Sequence, residues 1–248
     1  MAARRGGVEC AGTRRDTRMR SGRRVGHSRA VHEAAVNNAA WCDIVCRSVG
    51  LPTVTRPTLW SVRRRSPDGY PDAVTLQPGV PVAEVIGAVD DSPGASVKDS
   101  FADLDLGPYG YRILFEAQWL TRAAGSSTTP ALPWCIVDRD LLPVWLAAHG
   151  SAPITAGVLD DPAVRLLLAA DEDGPLAVAA LNRSGPVVGV SNVQAVRAAP
   201  ARVWSDLVSV ARRELGDHPL VGYEAGVDLA PAITSGFATA GPLRVWIR

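Results

Sequence analysis

Four thiols and one ammonium are the side chains of this 248-residue chain with the most distinctive chemistry. Cys42 and Cys46 are four residues apart, a spacing that places both on one helix face. A structural zinc site needs four ligands, and no second Cys/His pair follows at metal-ligand spacing. Cys135 and Cys10 also lack such spacing. Cys42, Cys46 and Cys135 are therefore expected as buried free thiols, which suits a reducing cytoplasm. His27, His32, His149 and His218 are scattered. There is no H-E-x-x-H, no G-x-S-x-G and no G-x-x-x-x-G-K, so nothing indicates a zincin helix, a serine elbow or a Walker loop. No metal site is expected. Lys98 is the only lysine beside 25 arginines. A lone lysine in an arginine-rich chain hints at a place that needs a compact ammonium, such as a site for an acidic ligand. Chance accounts for a single residue equally well.

Composition limits the function classes. The charge is nearly balanced, at +1, and 47% of residues are apolar. No apolar run of 18 residues occurs, so no membrane-spanning helix is expected. Four cysteines do not make a disulfide scaffold. Positive charge is concentrated in residues 1–29, where nine arginines face only Glu9 and Asp16. That segment has almost no large apolar side chains and is expected to be a disordered arm. It also lacks the apolar core of a secretory signal. The remaining chain is acidic and offers no second basic surface, which argues against nucleic acid as a partner. The seven tryptophans are spread along the chain and read as core and cleft packing.

The elements that must position any site are legible in outline. Residues 31–49 carry a helical apolar pattern, closed by Gly50 and Pro52. Strands are expected at Leu59–Val62 and Ala73–Leu76, and a short helix at Val82–Val89. Ser96-Val97-Lys98-Asp99 resembles a capping box opening a helix towards Leu104. Tyr111–Leu120 reads as a buried strand. Residues 126–133, rich in Ser, Thr and Pro, mark a boundary between halves 30–125 and 131–248. The second half reads as strand (134–137), helix (141–148), strands at 164–170, 176–181 and 187–196, helix (200–215), strand (220–223), helix (229–235) and strand (243–247). Pro200 suits a first helical turn. This is an α+β order, a mixed β-sheet flanked by helices.

Residues 131–248 resemble the GNAT acyltransferase superfamily in order and wording. VVGVSNVQAV is similar to the family's fourth strand. PLVGYEAGVDLAPAITSGFATAGPLRVWIR is similar to its closing strand–helix–Gly-Phe–strand unit, with Gly236-Phe237 as the marker. The segments NAAWCDIVCRSVGLP, YPDAVTL and SVKDSFADLDL resemble uncharacterised bacterial proteins of similar layout. DSFADLDLGPYGYRILFEAQWLTR also resembles the closing unit, with Gly110-Tyr111 standing for Gly236-Phe237. The first half is thus a candidate degenerate repeat of the second.

The resemblance implies an acyl-CoA, such as acetyl-CoA, between the fourth and fifth strands, with a small-molecule or protein amine as acceptor. Its cofactor contacts would fall on Val193, Gln194, Ala195, Val196, Arg197, Ala198 and Ala199. Gln194 and Ala199 match the family's phosphate loop, whereas Arg197 stands where a glycine lets backbone approach phosphate. The family's catalytic tyrosine position is Ala232, so Tyr223 is the nearest candidate acid. The fourth strand has no carboxylate, and Glu224 is the candidate base, with Asp228 beside it. Asp228 reads better as a cap for the helix at Leu229. Two functions stay open: an acyl-CoA-dependent N-acyltransferase, and a non-catalytic binding module that kept the fold.

Overall fold

The computed structural model describes residues 16–125, 128–150 and 153–248, with side-chain surroundings from residue 29 onward. Residues 1–15 of the expected arm lie outside the described residues. All eleven strands join one sheet in the order β1-β2-β3-β4-β11-β5-β10-β9-β8-β7-β6. The elements are α1 (Asp16–Ser48), β1 (Thr53–Thr55), β2 (Leu59–Val62), β3 (Ala73–Thr75), α2 (Val82–Ile86), β4 (Ser96–Asp99), β5 (Arg112–Arg122), β6 (Trp134–Ile136), α3 (Leu142–His149), β7 (Val164–Asp171), β8 (Gly174–Ser184), β9 (Val187–Ala195), α4 (Pro200–Leu215), β10 (Leu220–Glu224), α5 (Leu229–Thr234) and β11 (Ala238–Ile247).

The order is nearly a palindrome. Strands β1 to β5 have counterparts in β7 to β11, and β6 is an addition at one edge. All neighbours are antiparallel except β3 with β4 and β9 with β10, whose connections run through α2 and α4. Each half then gives its last strand to the other. β5 pairs with β10, and β11 pairs with β4. At the centre β5 and β11 pair with each other, Leu243 opposite Ala117. The two closing segments thus occupy equivalent places in the sheet, each giving its strand to the other half, and the two halves share one sheet.

Local chemistry explains these elements. In α4, Pro200 fills the first turn, Val203, Leu207, Val210 and Ala211 are buried, and Gly216 ends the helix. Those side chains pack on Leu167, Ala169, Ala177, Ala179 and Leu181 of one sheet face. The alternate residues Leu166, Leu168, Val178 and Ala180 pack with Trp41 and Val45 of α1 and Trp145 of α3 on the other. Gly236 ends α5 at φ +87°, and Phe237 packs edge-on to Trp204 with ring centroids 5.1 Å apart. Its counterpart Gly110 has φ +85°, and the next residue, Tyr111, is buried.

Four expectations need correction, and one strand, β1, was not expected. Tyr111–Leu120 does lie mostly in a strand, but residues 112–116 are exposed. α1 begins at Asp16, inside the segment expected to be disordered. Arg, Met and Ser tolerate a helix, so the missing apolar side chains did not set its start. Ser96–Asp99 is a strand, because Val97 and Lys98 lie between β3 and β11 and complete both ladders. Asp99 does cap, but the backbone after the strand: its carboxylate accepts from Asp103 N and Leu104 N. β1, only three residues long, gave no apolar signal because two of its side chains are exposed. Cys135 is exposed, on the short strand β6, whereas Cys42 and Cys46 are buried.

Two outcomes follow. Gly236→Val should cost about 1–3 kcal/mol, the penalty for a non-glycine held at positive φ, read as a lower midpoint in urea. A fragment of residues 128–248 alone leaves β10 without β5, so it should give a denatured far-UV CD spectrum. Co-expression with residues 1–127 should restore the native spectrum. An independently folded fragment would contradict the strand exchange.

Candidate functional site

The two parallel strands β9 and β10 part early. Their pairing consists of Val188 with Leu220 and Gly189 with Val221, although β9 runs on to Ala195 and β10 to Glu224. A bulge in β9 goes with this divergence. Val178 pairs with Gln194 and Ala180 with Ser191, so Asn192 and Val193 together face Ala179. Asn192 takes φ +52°, the left-handed conformation that a bulge residue adopts.

A close contact sits at the point of the split. Asn37 of α1 and Asn182 of β8 are buried and bond reciprocally, each amide nitrogen donating to the other's backbone carbonyl at 3.1 and 3.2 Å. A Cβ on Gly189 would lie 2.0 Å from Asn37 Oδ1 and 2.4 Å from Asn182 Oδ1. Only glycine leaves room for α1 to cross the sheet here.

The split opens into a cavity on each sheet face. On the α1 side a cavity of about 290 Å³ is lined by Asn38 and Trp41 of α1, by Tyr70 and Lys98 from the first half, and by Ser191 to Val193 and Tyr223. On the α4 and α5 side a cavity of about 170 Å³ is lined by Val193 to Ala195, Pro200, Trp204, Asp228 and Pro231. Val193 and Glu224 line both.

Burial and then the neighbouring Asp228 push the Glu224 carboxyl up to about 8. Its proton therefore titrates where a neutral-pH base works. Asp228 is at the N-cap position of α5 but makes no capping hydrogen bond, which corrects the expectation of a cap. Its φ of −75° and ψ of −12° are already helical, so the carboxylate does not curl back over the first turn. Tyr223 alternates with Glu224 along β10. Its ring meets Trp119 edge-on at 5.6 Å and lies under the Lys98 ammonium, 4.1 Å from the ring centre.

Arg197 does not point at the helix start. Its guanidinium pairs with Asp171 and donates to the carbonyls of Gly174 at 2.8 Å and Pro175 at 3.2 Å, clamping the β7–β8 turn. The backbone N–H groups of Val196, Arg197 and Ala198 all donate to Leu176 O, at 2.9, 3.0 and 3.1 Å. The loop after β9 is thus tied to β8.

Other polar groups meet in the α1-side cavity without having been expected there. The hydroxyl of Tyr70 and Nδ1 of His149 are buried without a hydrogen-bond partner, and both residues line it. Tyr70, Asn38 and Trp41 come from the first half, whose one sequence hint of a site was the lone Lys98, which lines the same cavity. Among the described residues no group of three or more His, Cys, Asp and Glu side chains could hold a metal ion, and no helix is long and apolar enough to cross a membrane.

Glu224→Gln should be least stable relative to the parent at low pH and gain on it as pH rises. A raised carboxyl pKa means that the native state holds a proton the unfolded chain has released. Native stability from this group is full below about 4.5 and declines as pH rises towards 8. The melting difference between variant and parent should therefore grow between pH 5 and 9. A constant difference would contradict a half-buried Glu224 whose carboxyl holds its proton to about 8.

No protein-family profile and no curated protein sequence matches the chain. Its fold does match solved structures. A GCN5-related N-acetyltransferase from Kribbella flavida superposes with a TM-score of 0.59 at 16% identity, over 86% of this chain and 95% of that one. An acetyltransferase of the GNAT family from Novosphingobium aromaticivorans gives 0.56 at 15% identity, over 83% and 96%. Saccharomyces cerevisiae N-myristoyltransferase with bound myristoyl-CoA gives 0.51 at 6% identity, over 79% and 62%. The chain has the mixed α+β fold of the GNAT acetyltransferases, and the likeness spans both of its halves.

Proposed function

We propose that this chain is an acyl-CoA-dependent N-acyltransferase. The observation that supports this most directly is the pair of cavities meeting through the split, with Val193 and Glu224 common to both. Transfer between two ligands needs two approaches to one point, and the parted strands provide them. Edge groups of β9 beyond Gly189 lack a β10 partner, so an extended amide-bearing arm fits there by strand-like pairing. The likeness to an N-myristoyltransferase holding myristoyl-CoA supports the same class of ligand.

When bound, an acyl-CoA such as acetyl-CoA supplies a thioester carbonyl that an amine can attack. Val193, Gln194 and Ala195 would hold its arm from the α4 side, with Val196 to Ala199 leading to the helix start. Glu224 accepts the proton that the amine loses as its new N–C bond forms. Tyr223 gives a proton to the sulfur released as the C–S bond breaks. The products are an amide and a free thiol. Arg197 is here a positioning residue that holds the loop to Asp171 and Gly174, not a phosphate ligand. One observation favours the second reading, a non-catalytic module: the three loop amides are already committed to Leu176 O. Phosphate would then depend on the start of α4 alone.

A melt with acetyl-CoA tests binding, since ligand at 100 times its dissociation constant adds about 2.7 kcal/mol. An upward shift is expected, and its absence would refute the reading. With an accepted amine, the rate should rise with pH to a plateau above about 8, as Glu224 loses its proton. Glu224→Gln should cut turnover by about 100-fold or more and keep the melt shift. Binding without transfer to any amine would select the non-catalytic module.

A further inference from the structure

Among the described residues Lys98 is a buried cation without an anion. The residue is 3% exposed, and its Nζ donates to Asn38 Oδ1 at 2.8 Å and lies over the Tyr223 ring. Among the described residues no carboxylate lies within 4.0 Å of it. An ammonium has three donors, and the Asn38 amide oxygen takes one. An uncompensated buried charge is costly unless something repays the lost hydration. The aromatic face repays part of it.

Lys98 is also where two cavities meet. It lines the 290 Å³ cavity on the α1 side and a second cavity of about 210 Å³ between the 65–71 segment and β5 and β11. Tyr70 and Tyr223 line both as well. The Tyr70 hydroxyl is a second buried donor, near the Trp41 and Asn192 side chains but in hydrogen-bond geometry with neither. Arg65 lines only the second cavity, and its guanidinium is occupied by Asp72, Ser92 and the Asp90 carbonyl. Asp68, the one carboxylate on that segment lining both cavities, is exposed on the turn.

We infer that the acceptor is a small amine that also carries a carboxylate, an amino-acid-like zwitterion, with Lys98 Nζ and Tyr70 Oη receiving the carboxylate. One free cation and one hydroxyl match a singly charged group with two oxygens. A phosphate dianion would call for more positive charge than either cavity has free. Glu224 lines the same 290 Å³ cavity, so the ligand's amine faces the base while its carboxylate faces Lys98. This assignment rests on the acyltransferase reading, and it adds the acceptor's class. Lys98 is a binding residue in it.

The test uses the full chain, acetyl-CoA, and a panel of the common α-amino acids beside their α-amides, read by melting shift with CoA present and by thiol release. At least one acid should shift the melt and release thiol, with its amide about tenfold weaker or more. Lys98→Met should fold with a native CD spectrum and keep the acetyl-CoA shift. It should lose the acid-over-amide preference, and Lys98→Arg should recover part of it. Acids and amides acting alike, a preference that survives in Lys98→Met, or no acid binding while acetyl-CoA does would each overturn the inference. If Lys98→Met is unfolded, Tyr70→Phe must show a reduced preference, and an unchanged one would overturn it too. Failure of acetyl-CoA to shift the parent would instead refute the acyltransferase reading itself.

Discussion

Everything proposed for this molecule depends on β9 and β10 ceasing to pair after Gly189 and Val221. Parallel neighbours in a sheet ordinarily continue their ladder, because an unpaired buried N–H or C=O is costly. Here the bulge at Asn192 and Val193 bends β9 away. The Asn37–Asn182 pair then wedges α1 against the last paired residue, Gly189. The unpaired edges face cavities instead of hydrophobic core, and the cost of leaving them open is what a strand-like ligand would recover.

The exchange of last strands gives the split its rigid walls. β5 covers the far side of β10, and Trp119 from β5 fixes the Tyr223 ring. β11 does the same for β4, with Val245 opposite Lys98. Tyr223 and Lys98 occupy corresponding places in the two halves, and they meet ring to ammonium near the pseudo-two-fold centre. The first half is thereby more than a scaffold. It places a cation, a phenol and the residues of α1 in the cleft of the other half.

Much of the fold was legible because it rests on local rules. The 200–215 helix announces itself through Pro200, its apolar stripe and Gly216. The Gly236-Phe237 pair marks a turn that needs positive φ followed by a core aromatic. Candidate residues next to a strand end, Tyr223 and Glu224, could be placed from sequence, and the cavity geometry brings them to the split. What could not be read depends on tertiary pairing. Ser96–Asp99 looks like a helix start until β3 and β11 claim its two edges. Arg197 looks like a cofactor contact until the β7–β8 turn is seen to hold it. Tyr70 has no motif, and only its buried, unpartnered hydroxyl makes it visible.

If the parted edges of β9 and β10 bind a CoA thioester, amide hydrogen exchange with and without acetyl-CoA will register it there. Protection should rise in residues 191–195 and 222–224 and stay unchanged in the paired strands β7 and β8. Unchanged exchange across both edges at saturating acetyl-CoA, or protection confined to another part of the chain, would contradict it.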